Sequence, residues 1–322
     1  MEYRDLKNTD LHVSRLCLGV MTFAKQVNQE DANRMVDVCL DAGINCIDTA
    51  NMYQLGAAES MLGNAMKGKR DRIILSTKVR MKMGDGPDEA GLSRRAIRRA
   101  IEDSLRRLQT EYIDIYYLHQ PDYEVPIDET LEAMDELVRQ GKVRYPGTSN
   151  YASWQIVQMI DLARMKNFQP AYIAQPMYNL LARGIEQEFL PMAKEFGVSN
   201  FVYNPLAAGL LTGKHMETKI PEGGRFDKNP MYQDRYWHPR TFNAVQQLKE
   251  AASEIGRPLL EVAFAWLLHH TAADVVILGA SSVPQLQQNI EACASKPLPS
   301  ELLPKLDEIW REFRGPVPVY NR

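Results

Sequence analysis

Short apolar runs alternate with longer amphipathic stretches along almost the whole chain. "RLCLGV" precedes "EDANRMVDVCLDAG", "INCID" precedes "AAESMLGNAM", "RIILSTKV" precedes "SRRAIRRAIEDSLRRLQ", and "YIDIYYLH" precedes "IDETLEAMDELVRQG". The alternation continues with "KVRYPGTSN" before "SWQIVQMIDLARM" and "AYIAQP" before "EQEFLPMAKEFG". It closes with "NFVYNPL" before "FNAVQQLKEAASEIG" and "LEVAFAWLLHH", then "DVVILGAS" before "PQLQQNIEAC". Strands each followed by a helix imply a parallel sheet, and eight such units predict an α/β chain closed into a (β/α)8 TIM barrel. Ahead of the first unit, "EYRDLKNTDLHV" reads as an N-terminal β-hairpin placed to plug the barrel bottom, and "LPKLDEIWREF" reads as an extra C-terminal helix. The segment from Gly209 to Pro239, rich in Gly, Pro and charge, is the one stretch long enough to be a functional loop. No low-complexity tract or Ser/Gly linker interrupts residues 1–322, which are therefore expected to form a single domain. A doubly wound nucleotide-binding sheet is the rival architecture, but no G-x-G-x-x-G follows any predicted strand.

Composition narrows the partners more than the fold. With 45% apolar residues, 25% charged residues and a formal net charge of -3, the chain gives no electrostatic reason to expect nucleic acid or a membrane surface. A small molecule is the expected partner, and the oligomeric state stays open. Cys17, Cys39, Cys46 and Cys293 lack CxxC spacing, and three of them lie in apolar runs, as expected of free thiols in a reducing compartment. The N-terminus carries charges where a signal peptide needs an apolar core, and no run approaches the roughly 18 apolar residues of a membrane span. The protein is accordingly expected to be cytoplasmic.

In a barrel of this kind, reactive groups gather at the C-terminal ends of the strands. The polar residues that end the predicted strands are Asp48, Lys78, His119, and Ser149 with Asn150, and Tyr53 follows Asp48 on the same mouth. An acid, a lysine, a tyrosine and a histidine on neighbouring ends suit proton donation to a carbonyl. A phenol titrates near pH 10, too high for an efficient donor at neutral pH, but a nearby ammonium favours phenolate. Lys78 can act in this way on Tyr53, and Asp48 can keep a buried Lys78 charged and oriented. His119 can hydrogen-bond the carbonyl oxygen and steady the developing alkoxide. Singly, each residue has a structural explanation: a turn cap, a solvated strand end, a surface ring or a satisfied histidine. Four compatible groups on adjacent ends favour chemistry instead. No metal is expected: His269 and His270 fall on a predicted helix, His12, His215 and His238 lie elsewhere, and no HxH or HExxH occurs. Walker and GxSxG motifs are also missing.

These residues, at this spacing, resemble the aldo-keto reductase superfamily over nearly the whole chain. The resemblance rests on "IDTANMY", "LSTK", "YYLHQPD", "GTSNY", "QPMYNLL", "YNPLAAGLLTGK" and "LGASSVPQLQQN". It implies a (β/α)8 barrel that binds a nicotinamide cofactor across the strand ends, with Asp48, Tyr53, Lys78 and His119 catalytic. Carried over residue by residue, Ser149, Asn150 and Gln175 match positions that hold the nicotinamide carboxamide, and Tyr203 matches the aromatic that stacks on the ring. Gly19, Met21 and Asp48 also match cofactor positions. Asn204, Leu206, Gly209 and Lys214 would line the pyrophosphate with Arg225 folding over it, and Gly279, Ser281, Gln285, Gln288 and Asn289 would hold the adenosine end.

The chain departs from that pattern at two places. Where many relatives carry a lysine and an arginine around the adenosine 2'-phosphate, this chain has Gly279 and Gln285, so recognition of that charge falls to Lys214, Arg225 or other groups. The expected cofactor is NADPH (NADP+ when oxidised), with NADH left open. In "RYPGTSN", Pro146 replaces the usual aliphatic residue and removes a strand donor. The cofactor segment also resembles that of potassium-channel beta subunits, which raises a second function: a redox-sensing, cofactor-binding regulatory subunit. Those subunits resemble reductases whose histidine position is altered, whereas this chain keeps His119. The substrate is expected to be a small carbonyl compound of unassigned structure. The segment after His119 and the tail after Phe313 are both short, and Met231, Tyr232, Tyr236 and Trp237 suit either covering the substrate or pinning their own loop.

Overall fold

The structure, a computed structural model, describes residues 1–215, 220, 222 and 224–316. Parts of the 209–239 segment and the end of the tail after Phe313 lie outside the described residues.

Strands β1 (Tyr3–Asp5) and β2 (His12–Ser14) form an antiparallel hairpin. The barrel strands are β3 (Leu16–Gly19), β4 (Cys46–Asp48), β5 (Ile74–Val79), β6 (Ile113–Leu118), β7 (Val143–Ser149), β8 (Ile173–Gln175), β9 (Ser199–Val202) and β10 (Val275–Gly279). They close in the parallel order β10-β3-β4-β5-β6-β7-β8-β9, and a helix follows each one, so the chain is the (β/α)8 barrel that its alternation predicts. The helices are α1 (Gln29–Asp41), α2 (Ala57–Ala65), α3 (Arg94–Leu108), α4 (Ile127–Arg139), α5 (Ser153–Lys166), α6 (Phe189–Phe196), α7 (Pro230–Tyr236), α8 (Pro239–Glu254), α9 (Leu259–His269), α10 (Val283–Cys293) and α11 (Leu302–Arg314), the last being the expected C-terminal addition.

The residues fold into two compact units. One comprises Met1–Pro176, Pro191–Val202 and Asp274–Gln287 and holds the hairpin with every barrel strand. Parallel strands buried on both faces read as unbroken apolar runs, and all six residues of β6 are buried. The helices instead bury one stripe: Ala32, Met35, Val36, Cys39 and Leu40 of α1 recur at helical spacing, and Asn28 caps it by accepting from the Asp31 amide at 2.9 Å. The hairpin turn hydrogen-bonds the first residue of β9, through the Lys7 amide to Ser199 Oγ at 3.0 Å, and so closes the N-terminal end of the barrel with buried Leu6, Leu11 and Val13. Gly147 of β7 has no room for a side chain, since a Cβ there would come within 2.6 Å of the Tyr117 ring. Its neighbour Pro146 pairs with Tyr116 of β6, and pairing with β8 begins only at Gly147. All four cysteines are buried free thiols, and Cys17 and Cys46 pair in register across β3 and β4.

The other unit comprises Met177–Leu190, Tyr203–Ala273 and Gln288–Arg322. Within it α9 is apolar on nearly every side and is buried, while α8 packs against α11. Arg183 joins Glu186 and Asp307, at 2.8 Å each, beneath a face-on contact with Trp266. Among the described residues, no helix is long and apolar enough to cross a membrane.

Candidate active site

Register across β4 and β5 sets the first contact. Asp48 pairs with Ser76, and side chains two residues apart on a strand share a face, so Ser76 and Lys78 both meet the Asp48 carboxylate. Lys78 Nζ lies 2.6 Å from Asp48 Oδ2 and donates to the Thr49 carbonyl at 2.7 Å. Ser76 Oγ and Gln175 Nε2 donate to Asp48 Oδ1 at 2.7 and 2.9 Å. Lys78 is 0% exposed and Asp48 3%, so water does not screen the pair. Burial pulls the Lys78 ammonium down, but the Asp48 charge, the Tyr53 phenol and the Asp48 hydrogen bond outweigh it, and Lys78 titrates above the ordinary lysine range. The cation is therefore permanent at neutral pH.

Tyr53 opens a short 3-10 turn, Tyr53–Gly56, in which Gln54 and Leu55 both take φ of 50°, a left-handed conformation uncommon for such residues. The turn is fastened by Gln54 Nε2 donating to the Met21 carbonyl at 3.0 Å, which gives Met21 a backbone part in the site. The Tyr53 ring centroid lies 5.3 Å from Lys78 Nζ and 6.2 Å from that of His119, which meets it edge-on. His119 follows β6 directly and its amide donates to Val79 at 2.9 Å. Burial, Lys78 and Arg80 together hold its imidazole down to about 3, so the ring is neutral at physiological pH. Its Nδ1 is buried and meets no partner among the described residues. The four groups expected to act together are thus gathered at one end of the barrel.

The other expected barrel-unit residues lie nearby on successive strands. Gly19, at the end of β3, pairs with Asp48 on one side and Gly279 on the other, and a Cβ on it would come within 2.7 Å of Ile277. Ser149 Oγ donates to the Gln175 carbonyl at 3.0 Å, and Asn150, with φ of 60°, donates through Nδ2 to the His119 carbonyl at 2.9 Å. Gln285 Oε1 accepts from both the amide and the hydroxyl of Ser281, at 2.7 and 2.9 Å. Sequence reasoning passes over Ser76 and Arg80, although alternation along Ser76–Thr77–Lys78 puts Ser76 on the Lys78 face and Arg80 follows β5 directly.

The remaining expected residues belong to the other unit. Tyr203 bridges to Met177, and Asn204, with φ of 62°, donates to the Tyr236 hydroxyl at 2.8 Å and accepts from the Ala208 amide at 2.7 Å. Leu206 precedes a 3-10 segment in which Ala207, Ala208 and Gly209 all have positive φ, and its carbonyl accepts from Gly209 at 2.8 Å. Lys214 is exposed; Arg225 donates to the Tyr232 hydroxyl at 3.2 Å and covers that ring. Gln288 and the buried Asn289 lie on α10. Of the aromatic set, Tyr232 and Tyr236 are buried and Trp237 packs edge-on against Phe226 and Phe242, so these three pin their own segment; Met231 is exposed.

With this geometry in view, likeness to known proteins adds a second line of observation. A profile of the Aldo/keto reductase family matches residues 15–311. "Uncharacterized oxidoreductase YrpG" of Bacillus subtilis (strain 168) is 37% identical over 329 aligned residues, covering 99% of this chain and 98% of the relative. "Probable voltage-gated potassium channel subunit beta" of Oryza sativa subsp. japonica is 34% identical, covering 96% of both chains. "Aflatoxin B1 aldehyde reductase member 2" of Rattus norvegicus is 34% identical over 95% of this chain and 87% of the relative.

Proposed function

The chain belongs to the aldo/keto reductase family, and we propose that it reduces aldehyde or ketone carbonyls to alcohols with NADPH, Tyr53 giving the proton. The observation that carries this reading is a fully enclosed Lys78–Asp48 pair directly beside the Tyr53 ring. A bound reduced nicotinamide supplies the hydride. The donor set suits that group: a hydroxyl on Ser149 and amides on Asn150 and Gln175 are what a primary carboxamide needs as partners. Tyr53 hands its proton to the carbonyl oxygen as charge develops there, and the Lys78 cation favours that departure. Asp48 holds the cation in place through the 2.6 Å bond. His119, neutral, donates an N–H to the same oxygen and steadies the alkoxide without competing for the proton.

Lys214 and Arg225 support NADPH over NADH, because Gly279 and Gln285 bring no charge to the adenosine end. The test is turnover: purified protein is mixed with a panel of aldehydes, quinones and ketosteroids, and oxidation of NADPH and NADH is followed by absorbance. Multiple turnovers support the reading. Tight cofactor binding with no turnover across the panel would favour the second reading, a redox-sensing subunit, which the likeness to the rice potassium channel subunit beta motivates.

A further inference from the structure

Arg80 is held in a conformation that its residue type disfavours, and it forms no ion pair among the described residues. It follows β5 directly, two residues beyond Lys78, and extending the β5–β6 register from Val79↔Leu118 sets it level with His119. Its φ is 127°, a region that only glycine enters at low cost, and the backbone is fixed there by the Gly91 amide donating to the Arg80 carbonyl at 2.8 Å. A side chain kept at such a position has a use, since a glycine would relieve the strain.

Packing does not supply that use. Arg80 Nε is buried without a partner, and the guanidinium makes no ion pair among the described residues. The cleft beside it also contains Arg99 and Arg107, but Arg99 is tied to Glu89 and Pro87 and Arg107 to Glu59 at 2.7 Å. Nearby acids are engaged elsewhere: Asp88 with Arg95 at 2.8 Å and Asp122 with the Leu92 amide at 2.8 Å. Asn51, 2% exposed and lining the same cleft, likewise has an Oδ1 with no partner among the described residues, and turning that amide over would present two N–H donors. Beneath the mouth, Asp48 is occupied by Lys78, Ser76 and Gln175 and so is not available to Arg80.

We propose that Arg80 is a specificity-determining residue that receives a carboxylate borne by the substrate, so that the preferred substrates of this reductase are carbonyl compounds carrying a carboxylate near the reacting group. Arg80 is partly exposed, and a guanidinium's paired N–H groups match a carboxylate's two oxygens, a geometry that a lysine cannot reproduce. This inference rests on the reductase reading above.

The test compares 3-formylbenzoate with its methyl ester as substrates in the presence of NADPH. The parent should prefer the acid, and Arg80→Met should lower the acid-to-ester ratio of kcat/KM by about 10- to 100-fold, chiefly through KM for the acid. Arg80→Lys should fall between the two. Arg80→Gly separates function from packing: relieved of strain, it should unfold at a higher denaturant concentration than the parent while losing the same acid preference. A ratio unchanged in Arg80→Met and Arg80→Gly would overturn the inference and leave the reductase reading standing. A parent that reduces neither compound, nor anything in the wider panel, would overturn both.

Discussion

Replacing Asp48 with asparagine keeps the shape of the side chain and removes one charge from an enclosed site. Three donors converge on the two carboxylate oxygens: Lys78 Nζ at 2.6 Å, Ser76 Oγ at 2.7 Å and Gln175 Nε2 at 2.9 Å. Asparagine offers one oxygen, so whichever way the amide turns, either Lys78 or the Ser76–Gln175 pair faces an N–H. Because Lys78 is 0% exposed, water cannot compensate, and breaking a buried pair from one side costs about 3–5 kcal/mol. The sign of the pH dependence is distinctive. In the parent, Lys78 titrates above its unfolded value of 10.5, so its stabilisation is complete below that value and is lost as pH rises through the folded one. Without Asp48, burial is left dominant and the folded value drops below 10.5, so the variant gains stability as pH rises through that window. Urea unfolding at a series of pH values should therefore show a deficit that is largest near neutrality and narrows toward about pH 10. A deficit under about 1 kcal/mol, or one independent of pH, would refute the pairing as described.

Three further outcomes follow from the proposed function. Tyr53→Phe should keep the fold and cofactor affinity while carbonyl reduction falls by about 100- to 10,000-fold, the usual worth of a positioned proton donor; a near-parental rate would assign the proton to His119 or water. With His119 neutral down to about pH 3, its ionisation should leave no inflection in kcat/KM between about pH 5 and 8, and an inflection abolished by His119→Asn would contradict this. Arg225→Ala should weaken NADPH binding more than NADH binding, measured by fluorescence titration, and equal losses would remove Arg225 from recognition of the extra phosphate.

The barrel was legible because each buried strand is a short apolar run and each helix repeats its apolar positions three and four apart. The candidate site is legible because Asp48, Lys78 and His119 each interrupt or end such a run. What escaped depends on barrel closure. Gln175 donates to Asp48 across 127 positions of sequence, a bond that only barrel closure creates, so reading Gln175 as a carboxamide partner left out its hold on the acid. Tyr236 likewise meets residues far upstream in the chain, Asn179 and Asn204, whose amides donate to its hydroxyl at 3.2 and 2.8 Å. Helix α7, by contrast, had a local signal in Asn229–Pro230, since proline is favoured in a first helical turn. Arg80 had one too, two residues past Lys78, but its backbone strain has no mark in the sequence.

The enclosed thiols turn the chain into its own recorder of opening. Cys17, Cys39 and Cys46 lie in the barrel unit at 0% exposure, and Cys293 lies in the other at 9%. Burial raises Cys39 to about 12 and pushes Cys17 and Cys293 up as well, so in the folded state these groups stay as unreactive thiols. A thiol reagent added to the native protein will then react only when structure gives way, and peptide mapping of the first adducts distinguishes a molecule whose two units come apart in turn from one that opens all at once.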